Sequence, residues 1–175
     1  MEMDHKAEPR KRSRTIEWFD PVPYVTEGMS RRPLDYLRDM MNGKIPPAPV
    51  VTLVGIEGIE IDEGHVVLAL DPAEYHYNPL GVVHGGMIAT LLDSTMALAV
   101  HSTLPAGGYF STLQLNVNYV RQVTAETGRL VCDGKVVHAG RTTAVAECTA
   151  VDVRGKLIAT ATSTCMLHRP AEPAS

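Results

Sequence analysis

The sequence predicts an α+β domain in which a curved antiparallel sheet wraps around one long central helix. Two observations carry this prediction. Residues 85–103 form the one long apolar segment with helical character, and it ends before the Pro105-Ala-Gly-Gly108 turn. Two alternating segments precede this helix and four follow it, with no βαβ alternation. Because one helix cannot cover a flat sheet from edge to edge, we expect the sheet to curve around it.

The N-terminal 49 residues are predicted to lie outside this domain. Residues 1–20 read as a disordered tail with a short basic run from Arg10 to Arg14. Nucleic-acid binding by this run is the alternative, but no aromatic residues are interleaved for base stacking, so we interpret it as a solvated arm. Residues 21–49 read as a helical extension: a helix over 30–42 with Pro33 in its first turn, then the stiff connector Ile45-Pro-Pro-Ala-Pro49.

The domain itself is predicted over residues 50–168, with a tail at 169–175. Residues 50–61 and 65–70 alternate as strands and are joined by a turn at Asp62-Glu63-Gly64. Beyond the long helix, strands are predicted over residues 109–123, 128–139, 141–153 and 156–167. Within the first of these, Leu113, Leu115 and Val117 alternate with polar residues, which predicts one core face and one polar face. A sheet of this kind has an open edge, so we expect a homodimer.

Composition narrows the class of protein. The chain has 175 residues, 45% of them hydrophobic and 21% charged, with a formal net charge of −4. No apolar run approaches the roughly 20 residues of a membrane helix, so no membrane association is expected. The three cysteines have no close spacing and the N-terminus lacks an apolar signal segment, which favours a cytoplasmic protein. The histidines lack metal-ligand spacing, and we expect no metal site.

A candidate site lies along the long helix. Gly85 and Gly86 open the helix, so their N–H groups have no intrahelical partner and can stabilise negative charge. Asp93 follows Gly86 by seven residues and lies on nearly the same helical stripe, roughly 10 Å away. The alternative is that Asp93 is simply exposed to solvent and that Gly85 and Gly86 only form a turn. However, Leu91, Leu92 and other apolar neighbours leave little polar helix face around Asp93. His84 alone is more often structural than catalytic.

These residues form the pattern N-P-x-G-x-x-H-G-G-x(6)-D from Asn78 to Asp93. It resembles the hotdog-fold acyl-CoA thioesterases, in the phenylacetate-degradation (PaaI-like) branch of the 4-hydroxybenzoyl-CoA thioesterase superfamily. The resemblance covers about residues 50–168, including the turn Val137-His-Ala-Gly-Arg-Thr142. It implies hydrolysis of an aryl- or fatty acyl-CoA to the free acid and CoA.

The resemblance also implies roles for individual residues. Asp93 would be the general base or nucleophile, and the Gly85 amide would polarise the thioester carbonyl. His84 would position that loop or assist at the thioester, and Asn78 would contact the water or the carbonyl. Ser111 would orient the water from the opposing subunit. Coenzyme A would bind through Gly86 and several residues of the later strands, which are Arg121, Gly140, Arg141 and Thr142.

Coenzyme A would be part of the substrate, so no separate cofactor is implied. The resemblance further implies a homo-oligomer with the dimer as minimal unit and a homotetramer as the expected assembly. One alternative is a non-catalytic acyl-CoA binding or sensing protein, since a fold does not fix a function. A hotdog hydratase or dehydratase is a weaker one. The sequence contains no G-x-S-x-G, so a nucleophile-elbow hydrolase is unsupported.

Overall fold

The architecture comes from a computed structural model that describes residues 10–170. The outer parts of the two predicted tails, residues 1–9 and 171–175, lie outside the described residues. The helices are α1 (Val22–Met29), α2 (Pro33–Met41), α3 (Pro49–Val54) and α4 (Gly85–Ser102), with single 3₁₀ turns at Glu74–His76 and Ala125–Thr127. The strands are β1 (Ile56–Asp62), β2 (His65–Leu70), β3 (Tyr109–Tyr119), β4 (Leu130–Ala139), β5 (Thr143–Val151) and β6 (Leu157–His168).

The six strands form one antiparallel sheet in the order β1-β2-β4-β5-β6-β3. The sheet curves around α4, so the predicted fold class is confirmed. Strands β1 and β2 form the predicted hairpin, in which Asp62 pairs with His65. The chain then crosses along α4 to β3 at the far edge of the sheet. Strand β3 therefore pairs with β6 on one side and has no partner strand on the other within the described residues.

The sheet can approach α4 because the residues that face the helix from β5 are small. These positions are Ala144, Ala146, Cys148 and Ala150, and all are buried. The helix fills the space with larger side chains, including Leu91, Leu92 and Met96, which have no exposed surface. Small strand residues opposite large helix residues give a dense core.

Helix and sheet approach each other closely at Gly134 in β4. A Cβ atom on Gly134 would lie 2.8 Å from Thr95 Cγ2 and 3.3 Å from the Thr95 carbonyl carbon. Thr95 is fully buried, and its hydroxyl donates to the Leu91 carbonyl at 2.7 Å. The threonine therefore has little freedom to move aside.

We expect Gly134→Ala to destabilise the fold by about 1–3 kcal/mol, the usual effect of overpacking. Chemical denaturation measured by circular dichroism tests this. Gly155→Ala is not a suitable control because Gly155 has a positive φ of 72°. Ala146→Gly on the neighbouring strand is a better comparison, since it removes a methyl group from the same layer. A neutral effect of Gly134→Ala would show that α4 can shift away from β4.

The N-terminal extension is helical, as predicted, but the strand predicted over residues 50–61 is wrong in its first half. Residues Pro49–Val54 form α3, and only Ile56–Asp62 is a strand. The run Val50-Val51-Thr52-Leu53-Val54 is typical of a strand by composition. Pro49 at the start of the helix and Gly55 in the left-handed conformation after its end (φ 86°) override that preference.

The described part of the basic arm contacts the domain. The Arg14 guanidinium donates to the Thr52 and Leu53 carbonyls at the end of α3 and lies 4.1 Å from the centre of the Tyr75 ring. Arg12 forms a 3.0 Å ion pair with Glu74. The solvated arm that the sequence suggested is therefore attached through these two arginines: Arg14 holds α3 from outside, and Arg12 contacts the 3₁₀ turn at Glu74–His76.

Strand β3 contains a bulge that changes which residues face the helix. Thr112 pairs with Cys165 and Gln114 pairs with Thr164, so Leu113 is an extra residue between them. Leu113 is 55% exposed, contrary to the predicted core position. Beyond the bulge Leu115 and Val117 pack against the core, as predicted. Before the bulge the phase is reversed, and Thr112 faces α4.

Candidate active site

The start of α4 is organised by His84. This residue is the N-cap, with extended backbone (φ −61°, ψ 132°), and its Nδ1 accepts a hydrogen bond from the Gly86 N–H at 2.9 Å. The Gly85 N–H has no acceptor among the described residues. The Tyr119 hydroxyl donates to the Gly85 carbonyl at 2.8 Å and lies over the glycine. His84 thus uses the Gly86 amide and leaves the Gly85 amide available at the positive end of the helix.

The loop before α4 is held by two side chains. Asn78 Oδ1 accepts hydrogen bonds from the Leu80 N–H at 2.8 Å and the Val82 N–H at 3.5 Å. His76 is buried, accepts from the Ala73 N–H and donates to the Val54 carbonyl. Burial lowers the pKa of His76, which favours the neutral ring that these two hydrogen bonds require. In this structure the side-chain oxygen of Asn78 shapes the loop, and only the side-chain NH₂ group of Asn78 is left for a ligand.

Asp93 lies in the middle of a face of α4 that the sheet does not cover. We call it the open face; its residues are exposed or partly exposed and comprise Gly86, Met87, Ala89, Thr90, Asp93, Ser94, Leu98 and His101. Burial raises the pKa of the Asp93 carboxyl, and the Thr112 hydroxyl, which donates to Oδ1 at 3.3 Å, opposes this rise. The site therefore contains a half-buried carboxylate with raised basicity.

Ser111 and Asp93 are not brought together within the chain. Ser111 pairs with Met166 on the outer face of the sheet, where its hydroxyl lies 3.4 Å from His168 Nε2. Within the chain it is Thr112 that contacts the carboxylate, and sequence reasoning missed it. The physical reason is the bulge at Leu113. Residues on its N-terminal side face the opposite way from the side predicted by the alternation of β3, so Thr112 rather than Ser111 points to Asp93. No local signal marks this bulge, because Leu113 continues the apolar alternation of Leu115 and Val117.

The residues predicted to bind coenzyme A fall into two groups. Arg121 lies just beyond the end of β3 and lines a cleft of about 250 Å³ together with Gly85, Ile88 and Tyr119. Gly140, Arg141 and Thr142 form the turn between β4 and β5, and the Thr142 carbonyl accepts from the Leu167 N–H near the end of β6. Since Leu167 pairs with Phe110 at the start of β3, this turn and Arg121 lie at opposite ends of the sheet.

Three further features of residues 10–170 concern metal-ligand groups, reactive cysteines and membrane-spanning helices. Within this range no group of three or more His, Cys, Asp or Glu side chains is placed to hold a metal ion. The three cysteines, Cys132, Cys148 and Cys165, are buried free thiols. No helix in the same range is long and apolar enough to cross a membrane.

Sequence comparison relates this chain to known hydrolases. The family model of the thioesterase superfamily matches residues 80–159. A candidate esterase of Halobacterium salinarum is 44% identical over 73 residues, which are 41% of this chain and 46% of that protein, less than half its length. The 1,4-dihydroxy-2-naphthoyl-CoA hydrolase of Listeria monocytogenes is 24% identical over 105 residues, 60% of this chain and 84% of that enzyme.

Solved structures share the fold over most of their length. A phenylacetic acid degradation-related protein of Ralstonia eutropha is 32% identical, with a TM-score of 0.68 over 75% of this chain and 98% of that one. A Streptococcus mutans protein solved with bound acetyl-CoA is 30% identical, with a TM-score of 0.61 over 67% of this chain and 91% of that one. The chain belongs to the thioesterase superfamily, and its sheet wrapped around α4 is the hotdog fold.

Proposed function

We propose that this protein hydrolyses acyl-CoA thioesters to the free acid and coenzyme A. The observation that carries the proposal is the presence, on one helix, of the half-buried Asp93 carboxylate and of a Gly85 N–H that has no acceptor among the described residues. A base and an oxyanion donor are the two groups that acyl transfer to water requires. The hydrolase from Listeria monocytogenes and the acetyl-CoA complex from Streptococcus mutans support the choice of a CoA thioester.

In the proposed reaction, Asp93 removes a proton from water while the water oxygen bonds to the thioester carbon. The carbonyl oxygen becomes an oxyanion, and the Gly85 N–H and the positive end of α4 stabilise it. Collapse of this intermediate breaks the C–S bond, and the CoA sulfur takes up the proton from Asp93. Direct attack by the carboxylate, giving an anhydride that water then hydrolyses, uses the same two groups. Neither route needs a metal or a further cofactor.

The spacing of these groups supports a site shared between two subunits. Gly85 and Asp93 are eight residues apart, which is roughly 12 Å along a helix axis, whereas the carbon and oxygen of a carbonyl are about 1.2 Å apart. One thioester carbonyl therefore does not contact both groups of the same chain. In a two-fold dimer joined at the free edge of β3, the two α4 helices run antiparallel with their open faces adjacent. Gly85 would then meet the partner subunit's Asp93.

Pairing of two β3 edges would also bring together the two groups of residues that are predicted to bind coenzyme A. In an antiparallel pair of β3 strands, the start of one strand lies beside the end of the other. The Gly140, Arg141 and Thr142 turn adjoins the start of β3, and Arg121 follows its end. The dimer would thus place this turn of one subunit near Arg121 of the other. Two arginines near the positive end of α4 suit a nucleotide phosphate.

The decisive test is release of free thiol from acetyl-CoA, octanoyl-CoA, decanoyl-CoA and phenylacetyl-CoA, combined with calorimetric binding of the same compounds. Hydrolysis of at least one thioester with saturable kinetics supports the proposal. Binding without thiol release would identify an acyl-CoA binding protein instead. Sedimentation of the same sample reports whether the protein is a monomer, dimer or tetramer.

The hydroxyl of Thr112 gives a prediction about pH. Burial raises the pKa of Asp93 and the Thr112 hydrogen bond lowers it, so Thr112→Val should raise that pKa further. Because the ionised carboxylate is the active form, activity is lost as the pH falls through this pKa. The acidic limb of the kcat profile should therefore move to higher pH in Thr112→Val. Thr112→Ser keeps a hydroxyl and should keep the limb near its original position; equal limbs in all three proteins would contradict the role.

A further inference from the structure

An apolar groove lies between the N-terminal extension and α4, beside the proposed active site. Its volume is about 370 Å³. Helix α4 contributes Ser94 and Leu98, and β1 and β2 form the floor. The outer wall comes from the extension and from the adjoining helix α3, through Leu37, Met40, Met41, Pro47, Val51 and Thr52.

The groove opens on the same face of α4 as the carboxylate. Ser94 follows Asp93 directly, and Leu98 lies one turn beyond Ser94 on the open face. A substituent that stays bonded to the reacting carbon and points toward the extension would therefore enter the groove from the helix side. The walls are mainly apolar, with Thr52, Glu57 and Ser94 as the polar side chains, so this group would be mainly apolar as well.

The extension forms a defined but adaptable wall. Met41 packs onto β1, where a Cβ atom on Gly58 would lie 3.1 Å from Met41 Cγ. Methionine side chains adjust to ligands of different shape. Helix α3 is held from outside by Arg14, which binds the carbonyls of Thr52 and Leu53. The wall therefore has a fixed backbone and deformable side chains, as a pocket for a flexible chain requires.

We infer that this groove receives the acyl group of the substrate and that the N-terminal extension together with α3 sets the acyl specificity. The inference rests on the proposed function. An apolar cavity of about 150 Å³ holds a benzene ring, so this larger and half-open groove suits an extended acyl group of roughly eight to twelve carbons. Acetyl-CoA would react without using it.

Two adjacent valines of α3 provide a matched test. Val51 lines the groove, whereas Val50 is 44% exposed and does not. In Val51→Phe the larger ring fills the groove, and we expect kcat/KM for decanoyl-CoA to fall by about ten- to a hundredfold, the effect of a few misplaced methylenes. Activity with acetyl-CoA should stay within about twofold. Val50→Phe should leave both values near those of the parent.

A second variant changes the groove in the opposite direction. Met41→Ala removes part of the wall and should shift the preferred acyl length upward, because the groove becomes larger. Thermal unfolding of each variant shows whether it is folded. The dissociation constants of decanoyl-CoA and acetyl-CoA, measured by calorimetry in an Asp93→Asn background, give the same comparison without turnover.

The outcomes separate this inference from the proposed function. If no thioester is hydrolysed but Val51→Phe selectively weakens binding of decanoyl-CoA, the groove holds the acyl group and the enzymatic proposal fails. If thioesters are hydrolysed while Val51→Phe and Val50→Phe have the same chain-length profile, the groove does not hold the acyl group and the enzymatic proposal stands. Equal loss with acetyl-CoA and decanoyl-CoA in Val51→Phe also overturns the inference.

Discussion

Asp93→Asn is expected to reduce kcat for thioester hydrolysis by about 10²–10⁴-fold, the range that general bases contribute. The substitution keeps the size of the side chain and its ability to accept from the Thr112 hydroxyl. It removes the basic oxygen that takes the proton from water, and it also removes the nucleophile of the anhydride route. Acyl-CoA binding should persist, because the change leaves the shape of the open face intact. Steady-state kinetics and calorimetry on the same preparation measure the two quantities.

The same substitution should make the protein more stable at neutral pH. Burial raises the folded-state pKa of Asp93 above the ordinary aspartate value of 3.8. The folded chain therefore holds this proton more tightly than the unfolded chain does, and stability falls as the pH rises from 3.8 through the raised pKa. Asparagine has no such dependence. The gap in Tm between Asp93→Asn and the parent should thus widen from pH 4 toward neutrality.

Asp133→Asn is the matched control for both measurements. Asp133 is exposed on the outer face of the sheet, where it contacts His65. Its replacement should leave kcat unchanged. Full activity in Asp93→Asn would refute the proposed mechanism whatever the substrate.

Gly85→Pro is expected to lower kcat by about 10²–10³-fold, the effect of losing one oxyanion donor. Proline has no N–H group, yet it is favoured at the first position of a helix. The preceding His84 has ψ of 132°, which is a conformation that residues before proline adopt. The helix should therefore form normally while the proposed donor is absent.

Gly85→Ala separates the missing N–H from the added carbon. A Cβ atom at this position would lie 3.2 Å from Tyr119 Cζ, so either substitution pushes against that ring. Alanine keeps the N–H, and we expect a much smaller loss of kcat from it than from proline. Equal losses in the two variants would assign the effect to displacement of Tyr119 and would remove the oxyanion role from the Gly85 amide.

Mixing the two inactive variants tests whether the site is shared between subunits. Asp93→Asn and Gly85→Pro chains, unfolded together and refolded, form mixed dimers as half of the population. If one subunit provides Gly85 and the other Asp93, each mixed dimer has one intact site and about a quarter of the parent activity returns. If both groups act within one chain, no mixed dimer has an intact site and no activity returns.

The main elements of the fold are predictable because their signals are local and agree with one another. The long apolar segment with Gly85 at its start and Pro105 after its end specifies α4 within a residue or two. The alternating segments specify most of the sheet. Helix α3 was missed because its β-branched run favours a strand, whereas Pro49, Gly55 and contacts of Arg14 from a distant part of the chain favour a helix.

The site was only partly predictable, for a related reason. His84, Gly85 and Asp93 are neighbours on one helix, so their spacing alone relates them. The contact between Asp93 and Thr112 depends on how a remote strand is aligned, and one extra residue in that strand decides which side chain arrives. The Asn78 side chain was expected at a ligand, but its oxygen is used by the turn that precedes Val82, which spacing does not reveal.

The bulge at Leu113 has a further consequence for assembly. A straight, regular free edge would accept any exposed strand and invite open-ended aggregation. The edge of β3 is interrupted in its middle by a protruding leucine, so an unrelated strand cannot pair along its whole length. In the proposed two-fold dimer the second copy carries the same interruption, so the two bulges would be related by the axis. One inserted residue would thereby make the edge of β3 pair selectively with β3 of a second copy of this chain.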